Sequence, residues 1–201
     1  MKLDPFYLIV DNADWIERLV PVGVKLVQLR AKGISEADLR AQIRAAKAVC
    51  QAHDCVLVIN DFWQLAIEEE CDWVHLGQED LLEADLGTIK RAGLKLGLSS
   101  HDHRELETAL AAEPDCLALG PVYPTILKKM PWAPQGLNRL TEWKARIGSM
   151  PLIGIGGLTP ERATGVLEAG ADCAAVVTDI TLNEDPEART REWIDKTAPW
   201  R

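Results

Sequence analysis

No apolar stretch in this chain of 201 residues approaches the roughly 20 needed to cross a bilayer. The opening MKLDPFYLIVDNADW has a short apolar centre interrupted by acids, which is not the pattern of a secretory signal. No CxxC occurs, and the five cysteines, Cys50, Cys55, Cys71, Cys116 and Cys173, make an odd set. That argues against a disulfide scaffold and for reduced, buried thiols in a cytoplasmic protein. Positive charge is also short. Lys and Arg number 22 against 31 Asp and Glu, so the formal net charge is −9 and the pI about 5.0. Such a chain repels nucleic-acid phosphates and acidic membranes, so neither is an expected partner. A small phosphorylated molecule stays open, because a few lysines and backbone N–H groups hold an anion locally. No linker or low-complexity tract divides the chain. One domain spanning 1–201 is expected, and a homo-oligomer remains open.

What is present is rhythm. Short β-rich runs recur: FYLIVD (6–11), VKLVQLR (24–30), CVLVIN (55–60), DWVHLG (72–77), LKLGLSS (94–100), DCLALG (115–120), PLIGIGG (151–157) and DCAAVVT (172–178). Most are continuously apolar, as strands covered on both faces are. Helical spacing separates them. In SEADLRAQIRAAKAVCQAH, Ser35 and Asp38 form a capping pattern before a stripe of Leu39, Ile43, Ala46 and Val49–Cys50. In TPERATGVLEAGAD, Thr159 suits the cap, Pro160 the first helical position and Gly170 the exit. Eight strand–helix units predict a (β/α)8 TIM barrel, with an open doubly wound sheet as the alternative.

Barrel chemistry sits where strands end. The second strand exits through Gln28, Arg30 and Lys32, an alternation that puts all three on one face and suits a diphosphate, or equally an ordinary solvated strand end. The third ends at Asn60-Asp61, the fourth runs from His75 to Asp80, and the fifth ends at Ser99-Ser100-His101. Converging carboxylates of Asp61 and Asp80 would need a cation such as Mg2+, yet Asp61 serves equally well as a cap for the helix beginning FWQLAIEEE. After the sixth strand, GPVYPTILKKMPW presents Thr125 and Lys128-Lys129 on a proline-stiffened loop. GIGGLTPER offers glycine backbone and a helix start to a phosphate. His101 and His103 lack a third ligand at metal spacing, His103 reads as a helix start, and His75 reads as a hydrogen-bonding rim residue.

With these residues in hand, the chain resembles the thiamine phosphate synthase family from about Phe6 to Ile180. The matching stretches are QLRAK (28–32), IND (59–61), VHLGQEDL (74–81), GLSSH (97–101), GPVYPT with Lys128, IGIGGLTP (153–160) and AGADCAAVVTDI (169–180). The resemblance implies a (β/α)8 fold and a Mg2+-dependent transferase of thiamine biosynthesis. Its members join a hydroxymethylpyrimidine diphosphate to a thiazole phosphate, releasing diphosphate. It further implies that Gln28, Arg30, Lys32 and Asn60 hold the pyrimidine diphosphate, and that Asp61 and Asp80 ligate Mg2+. By the same resemblance Ser99 and Lys128 support the reacting diphosphate, while Thr125, Gly157, Val177 and Thr178 frame the thiazole phosphate.

This chain departs from the family pattern on the thiazole side. Leu127 replaces a threonine, Met130-Pro131-Trp132 replaces an acidic continuation, and Asp179 brings a carboxylate beside an expected phosphate. Those departures keep two other readings in view. One is a non-catalytic barrel that binds a thiamine precursor or phosphate. The other is a thiazole tautomerase, which Pro121 and the intact aspartate pair oppose.

Overall fold

The computed structural model describes residues 2–125 and 133–201. Strands β1 (Phe6–Val10), β2 (Leu26–Leu29), β3 (Val56–Asn60), β4 (Trp73–Leu76), β5 (Lys95–Ser100), β6 (Cys116–Leu119), β7 (Leu152–Ile155) and β8 (Cys173–Val176) pair in parallel. β8 also pairs with β1, so the sheet closes into a barrel, and the open-sheet alternative falls away. Each expected strand is present, trimmed at its ends where the chain turns into a loop.

The helices are α1 (Ala13–Leu19), α2 (Glu36–Ala52), α3 (Trp63–Glu68), α4 (Gln78–Glu83), α5 (Leu86–Arg91), α6 (His103–Ala111), α7 (Gly136–Ile147), α8 (Pro160–Glu168), α9 (Thr178–Thr181) and α10 (Pro186–Thr197). α2 starts where the capping pattern puts it: the Ser35 hydroxyl accepts the Asp38 N–H at 3.1 Å. Its stripe of Leu39, Ile43, Ala46 and Cys50 is buried. Each such aliphatic side chain contributes about 1.5–3 kcal/mol when fully buried. α10 covers β1, and the Trp193 ring stacks on Phe6 with centroids 5.5 Å apart.

The apolar strands serve two cores. Outward residues such as Leu8, Val27, Ile59, Val74, Leu98, Leu117 and Val176 pack beneath the helices. The alternate residues Tyr7, Ile9, Leu26, Val58, Trp73, Cys116, Ile153 and Cys173 fill the barrel interior. Period-two alternation is therefore real but hidden, because both sides are apolar. All five cysteines are free. Cys50, Cys116 and Cys173 are buried, whereas Cys55, which precedes β3, and Cys71, which precedes β4, stay partly exposed, contrary to the expectation of buried thiols. No helix among the described residues is long and apolar enough to cross a membrane.

Candidate active site

The interior of the barrel changes character around its circumference. From β2 to β5, the inward positions nearest the C-terminal mouth carry Gln28, Asn60, His75 and Ser99. The register sets Asn60 opposite His75 and His75 opposite Gly97. Gln28 is 2% exposed and donates its amide N–H to the Tyr7 hydroxyl at 2.8 Å. Asn60 is 6% exposed, and its Nδ2 donates to no described residue. A buried amide with unspent donors is costly unless something polar reaches it, and the Ser100 hydroxyl and the Trp143 indole share this state.

His75 lies inside the barrel, deeper than the rim position expected from the sequence, with Nε2 2.7 Å from the Ser99 hydroxyl. Burial pushes its pKa down to about 4; the nearby Asp61 charge opposes that push and Arg30 adds to it. The ring is therefore neutral near pH 7. Gly97 makes this reach possible, since a Cβ there would stand 2.7 Å from His75 Nδ1. The Gln78 side chain donates to the Ser99 carbonyl at 2.7 Å. Ser99 is thus held at hydroxyl and backbone by two residues from the β4 exit. Sequence reasoning did not pair His75 or Gln78 with Ser99, because the pairing depends on strand register.

The two aspartates meet. Asp61 follows β3 with φ 64, a left-handed conformation that Asp tolerates better than most residues. Its Oδ2 lies 2.8 Å from Lys32 Nζ. It does not cap α3, whose N-cap is Phe62 with no side-chain hydrogen bond. Of the two roles left open by the sequence, the cap is excluded. Asp80 sits in the first turn of α4, and its Oδ2 accepts the Gly77 N–H at 3.3 Å. Burial raises the Asp80 pKa, and the charge of Asp61 and a hydrogen bond to it raise it further. The two carboxylates therefore lie close enough for the charge of Asp61 to act on Asp80. Arg30, just beyond β2, forms no ion pair with a described residue. No group of three or more His, Cys, Asp or Glu suited to a metal occurs among the described residues. His101 pairs with Glu105 at 2.7 Å and His103 with Glu142 at 3.2 Å, so neither histidine joins the aspartates.

From β6 to β8 the inward positions are apolar: Ala118, Ile153, Ile155, Ala175 and Val177. The polar groups here come from loops. After β6, the Val122 N–H bonds Ile155 O at 2.8 Å and the Tyr123 N–H bonds Gly156 O at 3.0 Å. The returning chain donates from Gln135 to Pro121 O at 2.8 Å and from Gly136 to Val122 O at 3.0 Å. The loop thus leaves and re-enters at one anchored point. Thr125 lies at its described end; Lys128, Leu127 and Trp132 lie outside the described residues. Gly157 has φ 65, and a Cβ there would collide with the Pro124 carbonyl, so only glycine lets the β7 exit pack against this loop. Val177 caps and Thr178 opens α9 at the neighbouring β8 exit. Asp179 does not face the acceptor side. Arg189 donates to it at 2.8 and 2.9 Å and the Trp193 indole at 2.8 Å, turning it toward α10. The expected repulsion of a phosphate by this carboxylate is corrected accordingly.

Comparison with known proteins places the chain in a family. Residues 6–180 fit the sequence pattern of the family described as thiamine monophosphate synthase. A thiamine-phosphate synthase of Rhizobium etli is 70% identical over 201 residues, covering 100% of this chain and 98% of the relative. One from Cronobacter sakazakii is 46% identical over 189 residues, covering 94% and 90% of the two chains. A solved thiamine phosphate pyrophosphorylase from Pyrococcus furiosus superposes with a TM-score of 0.86 at 22% identity, covering 98% of this chain and 96% of its own, a likeness of fold. A sequence match across most of the chain and high identity over its full length agree: this chain belongs to the thiamine monophosphate synthase family.

Proposed function

We propose that the chain is a thiamine phosphate synthase, a transferase that joins hydroxymethylpyrimidine diphosphate to thiazole phosphate and releases diphosphate. The observation that carries this reading is the convergence of Asp61 and Asp80 beside Lys32, under a barrel wall of inward polar groups.

The aspartate pair fits Mg2+. Burial, and after it the charge of Asp61, raise the proton affinity of Asp80, and a hard divalent cation would relieve the repulsion between the two carboxylates. Mg2+ commonly takes one or two carboxylates and fills its shell with water and phosphate, so a third protein ligand is not required. When bound, the ion neutralises diphosphate charge as the leaving group departs.

The chain's own residues account for the rest. Arg30 and Lys32 supply a guanidinium fork and a point charge to the diphosphate at the β2 exit. Gln28 and the unspent donors of Asn60 orient the pyrimidine from inside the barrel. Ser99, fixed by His75 and Gln78, presents its hydroxyl to the reacting end of the donor. The C–O bond to diphosphate breaks with its electron pair leaving on oxygen, and the thiazole nitrogen supplies the pair for the new C–N bond. No protein nucleophile is needed, so catalysis is orientation and charge stabilisation. Thr125, Gly157, Val177 and Thr178 are assigned to the thiazole phosphate, and Lys128 to the diphosphate.

The reading of a non-catalytic binder rested partly on Asp179, and its pairing with Arg189 removes that motive. The deciding experiment mixes the protein with both substrates and Mg2+ and measures diphosphate and thiamine phosphate. Equal amounts of the two, lost with EDTA, are expected. Bound pyrimidine diphosphate without either product would overturn the synthase in favour of the binder.

A further inference from the structure

Arg162 carries a charge that no described residue neutralises. It lies in the first turn of α8, beyond Gly156-Gly157, and forms no ion pair with a described carboxylate. Its side chain is nevertheless fixed in two directions. Nη1 donates to the Gly157 carbonyl at 2.6 Å, and the guanidinium lies over the Tyr123 ring, 4.7 Å from its centroid. The first contact ties it to the β7 exit and the second to the β6 exit. These two loops already interlock through the Tyr123 N–H to Gly156 O bond and through the close approach of Gly157 to Pro124. The acid in the same turn, Glu161, is engaged by the Thr159 hydroxyl at 2.7 Å. A stacked guanidinium has lost little freedom still to lose on binding, and its remaining N–H groups form a fork suited to phosphate oxygens. The positive end of α8 adds to the same field.

We propose that Arg162 is a specificity-determining residue for the acceptor: clamped between Tyr123 and Gly157, it selects the phosphorylated over the dephosphorylated thiazole. This rests on the synthase reading for the identity of the acceptor, but not on turnover.

The test is calorimetric titration of wild type, Arg162→Ala, Arg162→Lys and Tyr123→Leu with thiazole phosphate, with dephosphorylated thiazole and with pyrimidine diphosphate. Arg162→Ala should weaken thiazole phosphate about tenfold or more, the scale of one lost charge-assisted pair. Affinity for dephosphorylated thiazole and for pyrimidine diphosphate should hold. Arg162→Lys should recover part of the loss, and Tyr123→Leu should show a smaller loss in the same direction. In turnover, KM for thiazole phosphate should rise with kcat nearly constant. Equal weakening of both thiazoles would mean a merely structural role and would overturn the proposal, as would an unchanged titration or a wild type that binds no thiazole phosphate. If wild type forms no thiamine phosphate yet binds thiazole phosphate through Arg162, the synthase reading fails and this one stands.

Discussion

The two arcs of the barrel mouth are built by different means. Between β2 and β5, polar side chains stand on the strands themselves: Gln28, Asn60, His75 and Ser99 project inward from the most rigid part of the fold. Between β6 and β8 the inward side chains are Ala118, Ile155, Ala175 and Val177, and polarity comes from loop backbone and Arg162. On the proposed reading, the neutral polar groups that orient the donor stand on strands, and the charged groups Arg30, Lys32, Asp61 and Asp80 follow directly from the strand ends. An acceptor ring needs an apolar wall and an anchored phosphate, which small residues and glycine loops supply. Loop contacts can be rearranged without disturbing the barrel, whereas strand contacts cannot.

Substitution of the aspartates should break the comparison most severely. Asp61→Asn and Asp80→Asn should each lower Mg2+-dependent kcat/KM by about a thousandfold, roughly 4 kcal/mol of transition-state stabilisation. Asn is the better probe at position 61, because it tolerates the φ of 64 that alanine would resist. Turnover within tenfold of wild type in either variant would remove the metal assignment.

The next effect sharpens the strand arc alone. The pKa of His75 is pushed down to about 4 from 6.5 by burial, so between those values the unfolded chain binds a proton that the folded one refuses. Stability is fully present above about pH 6.5 and is lost as pH falls toward 4, by about 3 kcal/mol. Denaturant unfolding in EDTA across this window should show that slope, and His75→Gln should flatten it while lowering kcat through a misplaced Ser99. An equal slope in the variant would mean that another group carries the acid sensitivity.

The smallest effect lies on the other arc. Asp179→Asn should cost about 1–2 kcal/mol of stability by weakening its bonds to Arg189 and Trp193. KM for thiazole phosphate should not change, because the carboxylate faces α10. A clear fall in that KM would restore Asp179 to the phosphate site.

Much of this was legible in the sequence. The eight strands stood out because a barrel wall is apolar on both faces. For the same reason the runs did not reveal which residues point inward, and the pairing of His75 with Ser99 across 24 positions stayed hidden. The role of Asp61 was ambiguous because a cap and a ligand occupy the same place in a strand–helix unit. Only its left-handed backbone, with Phe62 as the cap, excludes the first. The orientation of Asp179 depends on α10, whose register against α9 no local pattern reports.

Gly97 gives the strand arc a history as well as a geometry. The space above its Cα is filled by the His75 ring, with the Cys116 sulfur 3.1 Å from where a Cβ would stand. The identity of position 97 therefore depends on that of position 75. A lineage that placed a side chain at 97 would have to give up the histidine, and with it the hydroxyl alignment of Ser99. A side chain at 97 is therefore compatible only with loss of the histidine, whereas loss of the histidine leaves Gly97 unconstrained.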